Sequence, residues 1–139
     1  MDRLRHLVER PLYRAYERRL QVALAQTDLP GHVGIILDGH RRHARSAGLA
    51  DYRAAYREGT DRFVDFLRWC HDLRIPAVTG WVLSTDNLNR PQAELVSLLE
   101  IIEDAVESLA EQARWRLHPV GALDLLPAST AETLKAAEE

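Results

Sequence analysis

The chain has 139 residues, 46% of them apolar and 28% charged, with a net charge of −3 at pH 7. This is ordinary globular composition at single-domain length, which argues against disorder and against a nucleic-acid binder. Cys70 is the only cysteine, so no internal disulfide can form, and no apolar run approaches a membrane span of roughly 18 residues.

In chain order, Pro11 is expected to open a helix, since the first helical position does not use its missing N–H. Leu12, Tyr16, Leu20, Ala23 and Leu24 recur at helical spacing, with arginines and glutamates between them. The stripe suits a core or a partner, with peripheral membrane contact as the furthest extension. No signal-peptide core interrupts this reading, because Asp2, Arg3, Arg5, His6, Glu9 and Arg10 break up the N-terminus; a cytoplasmic protein is expected. Asp28-Leu29-Pro30-Gly31 predicts a turn.

His32 to Leu37 reads as a buried strand. It runs into Asp38-Gly39-His40-Arg41-Arg42-His43, where an apolar run ends in an acid and a glycine at the opening of a helix. In α/β folds ligands bind at such junctions. Gly59 to Leu73 predicts a helix with Phe63, Phe66, Leu67 and Cys70 on one face, broken by Arg74-Ile75-Pro76. Ala77 to Leu83 predicts a second strand. Ser84 to Pro91 is a polar loop closed by a helix-opening proline, and Gln92 to Ala113 a helix with Leu95, Leu98, Leu99, Ile102, Val106 and Leu109 on one face. Its acidic residues, Glu94, Glu100, Glu103, Asp104, Glu107 and Glu111, read as a solvated surface. Arg116 to Val120 suits a third strand, and Ser129 to Glu138 a last helix capped by Ser129 or Thr130. The alternation predicts an α/β fold with an open, mainly parallel sheet flanked by helices: an N-terminal helix and turn over 1–31, and an α/β core over 32–139.

Asp38 is the expected divalent-cation ligand, and Arg41, Arg42 and Arg45, with Arg53 and Arg57 nearby, suit an anion such as a diphosphate. Backbone N–H groups of Gly39 to Arg42 would complete the cradle. Parallel-strand geometry brings Ser84, Asn87 and Arg90 to the same sheet edge. The bland alternatives are a capping aspartate and turn chemistry. His40 and His43, spaced i, i+3, could instead join Asp38 around a transition metal, although no further Cys/His cluster supports this.

Together these residues resemble the cis-prenyltransferase family (undecaprenyl diphosphate synthase and relatives), whose signature is a strand followed by Asp-Gly-Asn-x-Arg-Trp and later Ser-x-Glu-Asn-x-x-Arg-Pro. Here the counterparts are Asp38-Gly39-His40-Arg41-Arg42-His43 and Ser84-Thr85-Asp86-Asn87-Leu88-Asn89-Arg90-Pro91. The runs Arg10 to Leu20 and Ala44 to Gly48 are similar to actinobacterial short-chain Z-farnesyl diphosphate synthases, and the similarity extends from about Pro11 to Pro127. The resemblance implies condensation of an allylic diphosphate with isopentenyl diphosphate to a short Z-prenyl diphosphate. It implies Mg²⁺ on Asp38, catalytic roles for Asp38, His40 and Asn87, and substrate contacts from Gly39, Arg41, Arg42, His43, Ser84 and Arg90. It also implies a tail-binding tunnel along the apolar face of the Gln92–Ala113 helix with Val82 and Leu83.

The sequence departs from the family pattern at His40 (Asn), His43 (Trp), Tyr56 (often His), Leu88 (often Trp) and Ala122 (Asp). Nothing after Val120 resembles the family's Arg-x-Gly-Glu-x-Arg-x-Ser segment, which binds isopentenyl diphosphate and contributes to the dimer. The expected protein is therefore a component that holds the allylic diphosphate and is inactive alone, its isopentenyl diphosphate site supplied by a second subunit or a homodimer partner. The alternatives are a non-catalytic prenyl-diphosphate-binding or stabilising subunit and, less in keeping with His40 at the position of a second carboxylate, a phosphohydrolase with an Asp nucleophile.

Overall fold

The computed structural model describes residues 2–24 and 27–138, the side chains of 2–10 excepted. The first helix, α1, spans Asp2–Leu24 and carries Pro11 inside it. The expectation that Pro11 starts the helix is thus corrected. The preceding residues, Leu4 to Arg10, are mostly good helix formers, and the helix runs through the proline with one backbone hydrogen bond missing. Leu12, Tyr13, Tyr16 and Leu20 are exposed, so the stripe of α1 lies outside the core of the described residues.

Strand β1 (His32–Ile36) pairs in parallel with β2 (Ala77–Trp81), in a register that sets Ile35 opposite Gly80 and Ile36 opposite Trp81. Both strands end earlier than expected, because ladder pairing gives way to the polar turns that follow. One further bond, Leu37 N–H to Trp81 C=O at 3.0 Å, carries β1 to the edge of the Asp38 turn. Among the described residues the sheet has only these two strands. The third strand expected over Arg116–Val120 is absent: the segment is irregular. Pro119 lies within it and cannot donate to a ladder.

Helix α2 covers His40–Ala47 and α3 covers Tyr52–Asp72. The latter starts seven residues before the expected Gly59. Asp51 caps it, its carboxylate accepting from the Ala54 N–H at 3.2 Å, so the turn carrying Ala55 and Tyr56 is already helical. The break expected at Arg74-Ile75-Pro76 is present. Arg74 takes a left-handed conformation (φ 59°), and the Ile75 N–H returns to the Cys70 carbonyl at 2.9 Å.

Helix α4 spans Gln92–Glu111, and α5 spans Ala128–Ala136. Neither Ser129 nor Thr130 caps α5. Pro127 stands at the cap position, its carbonyl accepts from the Ala131 N–H at 3.0 Å, and Thr130 is buried instead.

The core lies between α3 and α4, centred on Tyr56, Leu98 and Ile101, with Tyr52, Leu83 and Ile102 packed against it. α5 adds Ala131 and Leu134 beyond α4. Placing Tyr56 in this cluster is what brings α3, and the groups its hydroxyl touches, beneath the ends of the two strands. Ile101→Ala is expected to lower unfolding stability by about 2–5 kcal/mol, whereas the exposed Val96→Ala should stay within about 0.5 kcal/mol; urea titration of the two variants checks this.

Candidate functional site

β1 delivers Asp38 to a turn that only glycine adopts easily: Gly39 has φ 94° and begins α2, its carbonyl accepting from the His43 N–H at 2.9 Å. One Asp38 carboxylate oxygen accepts from the Gly39 N–H at 2.5 Å; the other lies 3.5 Å from Arg42 Nη2. Both side chains are largely exposed, so this pair is weak and open to replacement by a ligand.

Beneath them the polar groups are tightly connected. Tyr56 Oη donates to Glu94 Oε1 at 2.7 Å, and Arg90 Nη1 donates to Tyr56 Oη at 2.7 Å. The same Glu94 oxygen lies 3.4 Å from Arg90 Nη1 and 3.5 Å from Arg41 Nε. Arg41 also lies 5.2 Å over the Tyr52 ring, and Arg90 5.8 Å from the Tyr56 ring centre. Burial and the hydrogen bond to Glu94 push the Tyr56 hydroxyl well above its usual titration range, so it remains a donor.

The solvated face expected on α4 is therefore corrected at Glu94, whose side chain is only 9% exposed and forms the centre of this cluster. Glu100 stays on the exposed face and accepts from Arg53 Nη1 at 2.5 Å, which holds Arg53 against α4. The place of Glu94 could have been sought from the Arg90–Glu94 spacing of four residues and the proximity of both to the polar loop.

His40 lies half-buried, its ring edge-on to Tyr56 with centroids 5.5 Å apart. Burial lowers its pKa, and the charges of Arg90 and His43 act in the same direction against the opposing pull of Asp38. The niche depends on Gly59: a methyl group there would stand 2.0 Å from His40 Nε2.

The Ser84 loop forms a 3₁₀ turn over Thr85–Asn89. Asn87 Oδ1 accepts from the Ser84 N–H at 3.1 Å, and the Asn87 N–H donates to the Ser84 carbonyl at 3.0 Å. Asn87 thus braces its own loop, whose end presents Arg90.

Asp38, Gly39, His40, Arg41, Arg42, Ser84, Asn87 and Arg90 all line one open cleft of about 1970 Å³; Val82, Leu83, Leu98 and Ile102 give it an apolar wall, and Arg74, Arg114, Arg116, His71 and His118 line it elsewhere. His43 is not among the lining residues; its Nε2 pairs with Glu58 on α3 at 2.9 Å. That contact separates it from a His40–His43–Asp38 metal site, and no group of three or more ligating side chains occurs among the described residues. A single exposed carboxylate instead fits Mg²⁺, which is commonly held by one or two carboxylates together with substrate phosphates.

The fold is that of an α/β protein with a polar mouth beside an apolar wall at the carboxyl ends of parallel strands, where ligands bind in such folds. The chain belongs to the undecaprenyl diphosphate synthase family of prenyltransferases, whose model matches residues 36–139 and so continues past Pro127, where the resemblance was expected to end. It is 51% identical over 131 residues to the (2Z,6E)-farnesyl diphosphate synthase of Thermobifida fusca, covering 94% of this chain and 51% of that protein. It is 44% identical over 135 residues to the (2Z,6E)-farnesyl diphosphate synthase of Mycobacterium tuberculosis H37Rv, covering 95% of this chain and 52% of that one. The crystal structure of lavandulyl diphosphate synthase from Lavandula x intermedia, in complex with dimethylallyl diphosphate, matches with a TM-score of 0.73 at 30% identity, over 78% of this chain and 48% of that one. The chain spans about half the length of the curated relatives it matches. No helix among the described residues is long and apolar enough to cross a membrane.

Glu94→Gln is expected to reduce stability by about 1–3 kcal/mol, because two guanidinium groups lose their shared charge partner. Glu100→Gln, at an exposed pair, should cost no more than about 1 kcal/mol, and urea unfolding distinguishes the two. In wild type, His40 should titrate below the ordinary value of 6.5 when followed by NMR without divalent cations. Gly59→Ala, by displacing the ring toward solvent, should raise its midpoint toward that value.

Proposed function

We propose that this chain provides the allylic-diphosphate site of a cis-prenyltransferase that makes short Z-prenyl diphosphates. The observation that carries the reading is the meeting, in one cleft, of the Asp38–Arg42 turn and Arg90 with the apolar wall of α4 and β2. Such a mouth suits a diphosphate, and such a wall suits a prenyl tail. The names of the relatives, and the dimethylallyl diphosphate present in the lavender structure, point to the same ligand class.

In this reading Arg42 and Arg90, with the backbone N–H groups opening α2, hold the diphosphate, while Arg41 supports them from its place beside Glu94. Asp38 would hold Mg²⁺ at the mouth of the cleft. Bound there, the metal supplies positive charge for the departing diphosphate. Ser84 stands near the isopentenyl carbons, and Asn87 keeps the Ser84–Arg90 loop in shape. His40, beside Asp38, can take or return a proton.

The allylic carbon–oxygen bond breaks, isopentenyl diphosphate forms the new carbon–carbon bond, and loss of a proton sets the Z double bond. Isopentenyl diphosphate itself is held by residues other than these 139, corresponding to the part of the relatives that this sequence does not cover. The chain acts where its substrates and magnesium are available, in the cytoplasm.

Isothermal titration of the purified chain with dimethylallyl diphosphate, with and without Mg²⁺, tests the site. Arg42→Ala and Arg90→Ala should each weaken binding about tenfold or more, and Asp38→Ala should remove the Mg²⁺ dependence. Failure of wild type to bind dimethylallyl diphosphate would sink the reading.

Turnover of labelled isopentenyl diphosphate tests the division of the site. The chain alone should be inactive, and a polypeptide matching the remaining half of the relatives should restore activity. Robust incorporation by the chain alone would contradict that division. In the active assembly Asp38→Ala should abolish turnover; unchanged turnover would make the chain a non-catalytic supporting subunit.

A further inference from the structure

Arg90 enters the cleft from the end of the Ser84 loop, and Tyr56 of α3 meets it there. Chemistry fixes the direction of the contact. A guanidinium group only donates, so the Tyr56 oxygen accepts from Arg90 Nη1 at 2.7 Å. An ionised carboxylate only accepts, so the single hydroxyl proton goes to Glu94 Oε1, also at 2.7 Å. Neither bond can reverse. Burial and the bond to Glu94 keep the hydroxyl protonated at neutral pH.

The hydroxyl has little freedom of position. Tyr56 is 3% exposed, its ring packs with Leu98 and Ile101, and it stands edge-on to His40. A ring in a close-packed core keeps one orientation, so its oxygen marks a fixed point beneath the cleft. Arg90 lacks such support of its own. It follows a 3₁₀ turn, has extended backbone (φ −68°, ψ 159°), and carries a long side chain with many rotamers. Its ion pair with Glu94, at 3.4 Å, uses the same Nη1. Among the described residues its Nε and Nη2 groups make no hydrogen bond, which leaves them for a ligand.

We infer that Tyr56 is a positioning residue for the diphosphate: its hydroxyl ties one end of the Arg90 guanidinium group to the core, so that the remaining N–H groups are oriented before the ligand arrives. This role rests on the allylic-diphosphate reading above and deepens it, adding a residue that touches no substrate in that reading. Arg42 is the contrast, since among the described residues it has only the exposed 3.5 Å pair with Asp38 and is ordered when the ligand binds.

Tyr56→Phe removes the hydroxyl and keeps the ring. The test is isothermal titration of wild type, Tyr56→Phe, Arg90→Ala and the double variant with dimethylallyl diphosphate and with inorganic diphosphate, at one Mg²⁺ concentration. Tyr56→Phe should weaken both ligands by a similar factor, about three- to tenfold, the scale of ordering one long side chain. In the Arg90→Ala background the same substitution should change affinity by less than about twofold. A loss that persists without Arg90 would make Tyr56 a packing residue and overturn the inference. Unchanged affinity would overturn it too, as would a loss confined to dimethylallyl diphosphate, which would place the effect on the tail wall.

A second measurement needs no variant. In ligand-free wild type, relaxation NMR should give an Nε order parameter of about 0.85 for Arg90 and below about 0.6 for Arg42. An Arg90 side chain as mobile as Arg42 would overturn the inference even if Tyr56→Phe failed to fold, while the diphosphate site would stand. If wild type binds neither ligand, the allylic-diphosphate reading itself fails and the positioning role falls with it.

Discussion

A nearly buried carboxylate organises this molecule. Removing the charge of Glu94 from water would be prohibitive without compensation, and three groups supply it: the guanidinium groups of Arg41 and Arg90 and the hydroxyl of Tyr56. Each comes from a different part of the chain. Arg41 belongs to α2, Tyr56 to α3, Arg90 to the end of the Ser84 loop, and Glu94 to the first turn of α4. The requirement to satisfy one charge therefore fixes the relative positions of both strand-end turns and both core helices. Tyr56 joins this polar cluster to the apolar one, since its ring packs with Leu98 and Ile101 while its hydroxyl bridges Arg90 and Glu94.

The same arrangement divides the arginines by role. Arg41 and Arg90 are oriented by Glu94, and Arg53 is held by Glu100. Arg42 has only the exposed, longer contact to Asp38. A ligand phosphate arriving at the Asp38 turn thus meets one guanidinium group that can reorient freely and another, Arg90, whose direction is already set by Tyr56. Orientation before binding reduces the entropy lost on association. The cost is placed in the folding of the domain, where the core that seats Tyr56 offsets it.

The features legible in the sequence were those whose physical cause is local. The apolar run ending at Asp38-Gly39 identified the strand-to-helix turn because Gly39 is needed for its backbone angle. The Ser84–Pro91 loop was marked by its polar run and terminal proline. Gly59 does not mark the start of α3: Asp51 provides the cap, and Gly59 serves a tertiary purpose in making room for His40. Glu94 looked like one acid among many on α4, and only the approach of α2 and α3 distinguishes it from Glu103 or Glu107. The run Arg116 to Val120 had strand-like composition, but Pro119 withholds a donor and no ladder forms. Gly59 and Glu94 take their roles from partners remote in sequence, whereas the Asp51 cap and Pro119 are local signals.

The thinness of the sheet gives the Glu94 cluster its importance. Among the described residues the sheet consists of two parallel strands, which provide little independent stability, and Ile36 and Trp81 at their ends are exposed. The strand ends nevertheless have to present Asp38 and Ser84 at a fixed separation if one ligand is to touch both turns. Ladder bonds alone set register along the strands; they do not hold the turns beyond the last pair. That task passes to contacts behind the sheet, where Phe63 packs onto Gly80, Leu83 packs against the Tyr56 cluster, and Arg41 and Arg90 converge from the two turns onto Glu94. The site's geometry is accordingly a property of the helix layer more than of the sheet from which its residues emerge.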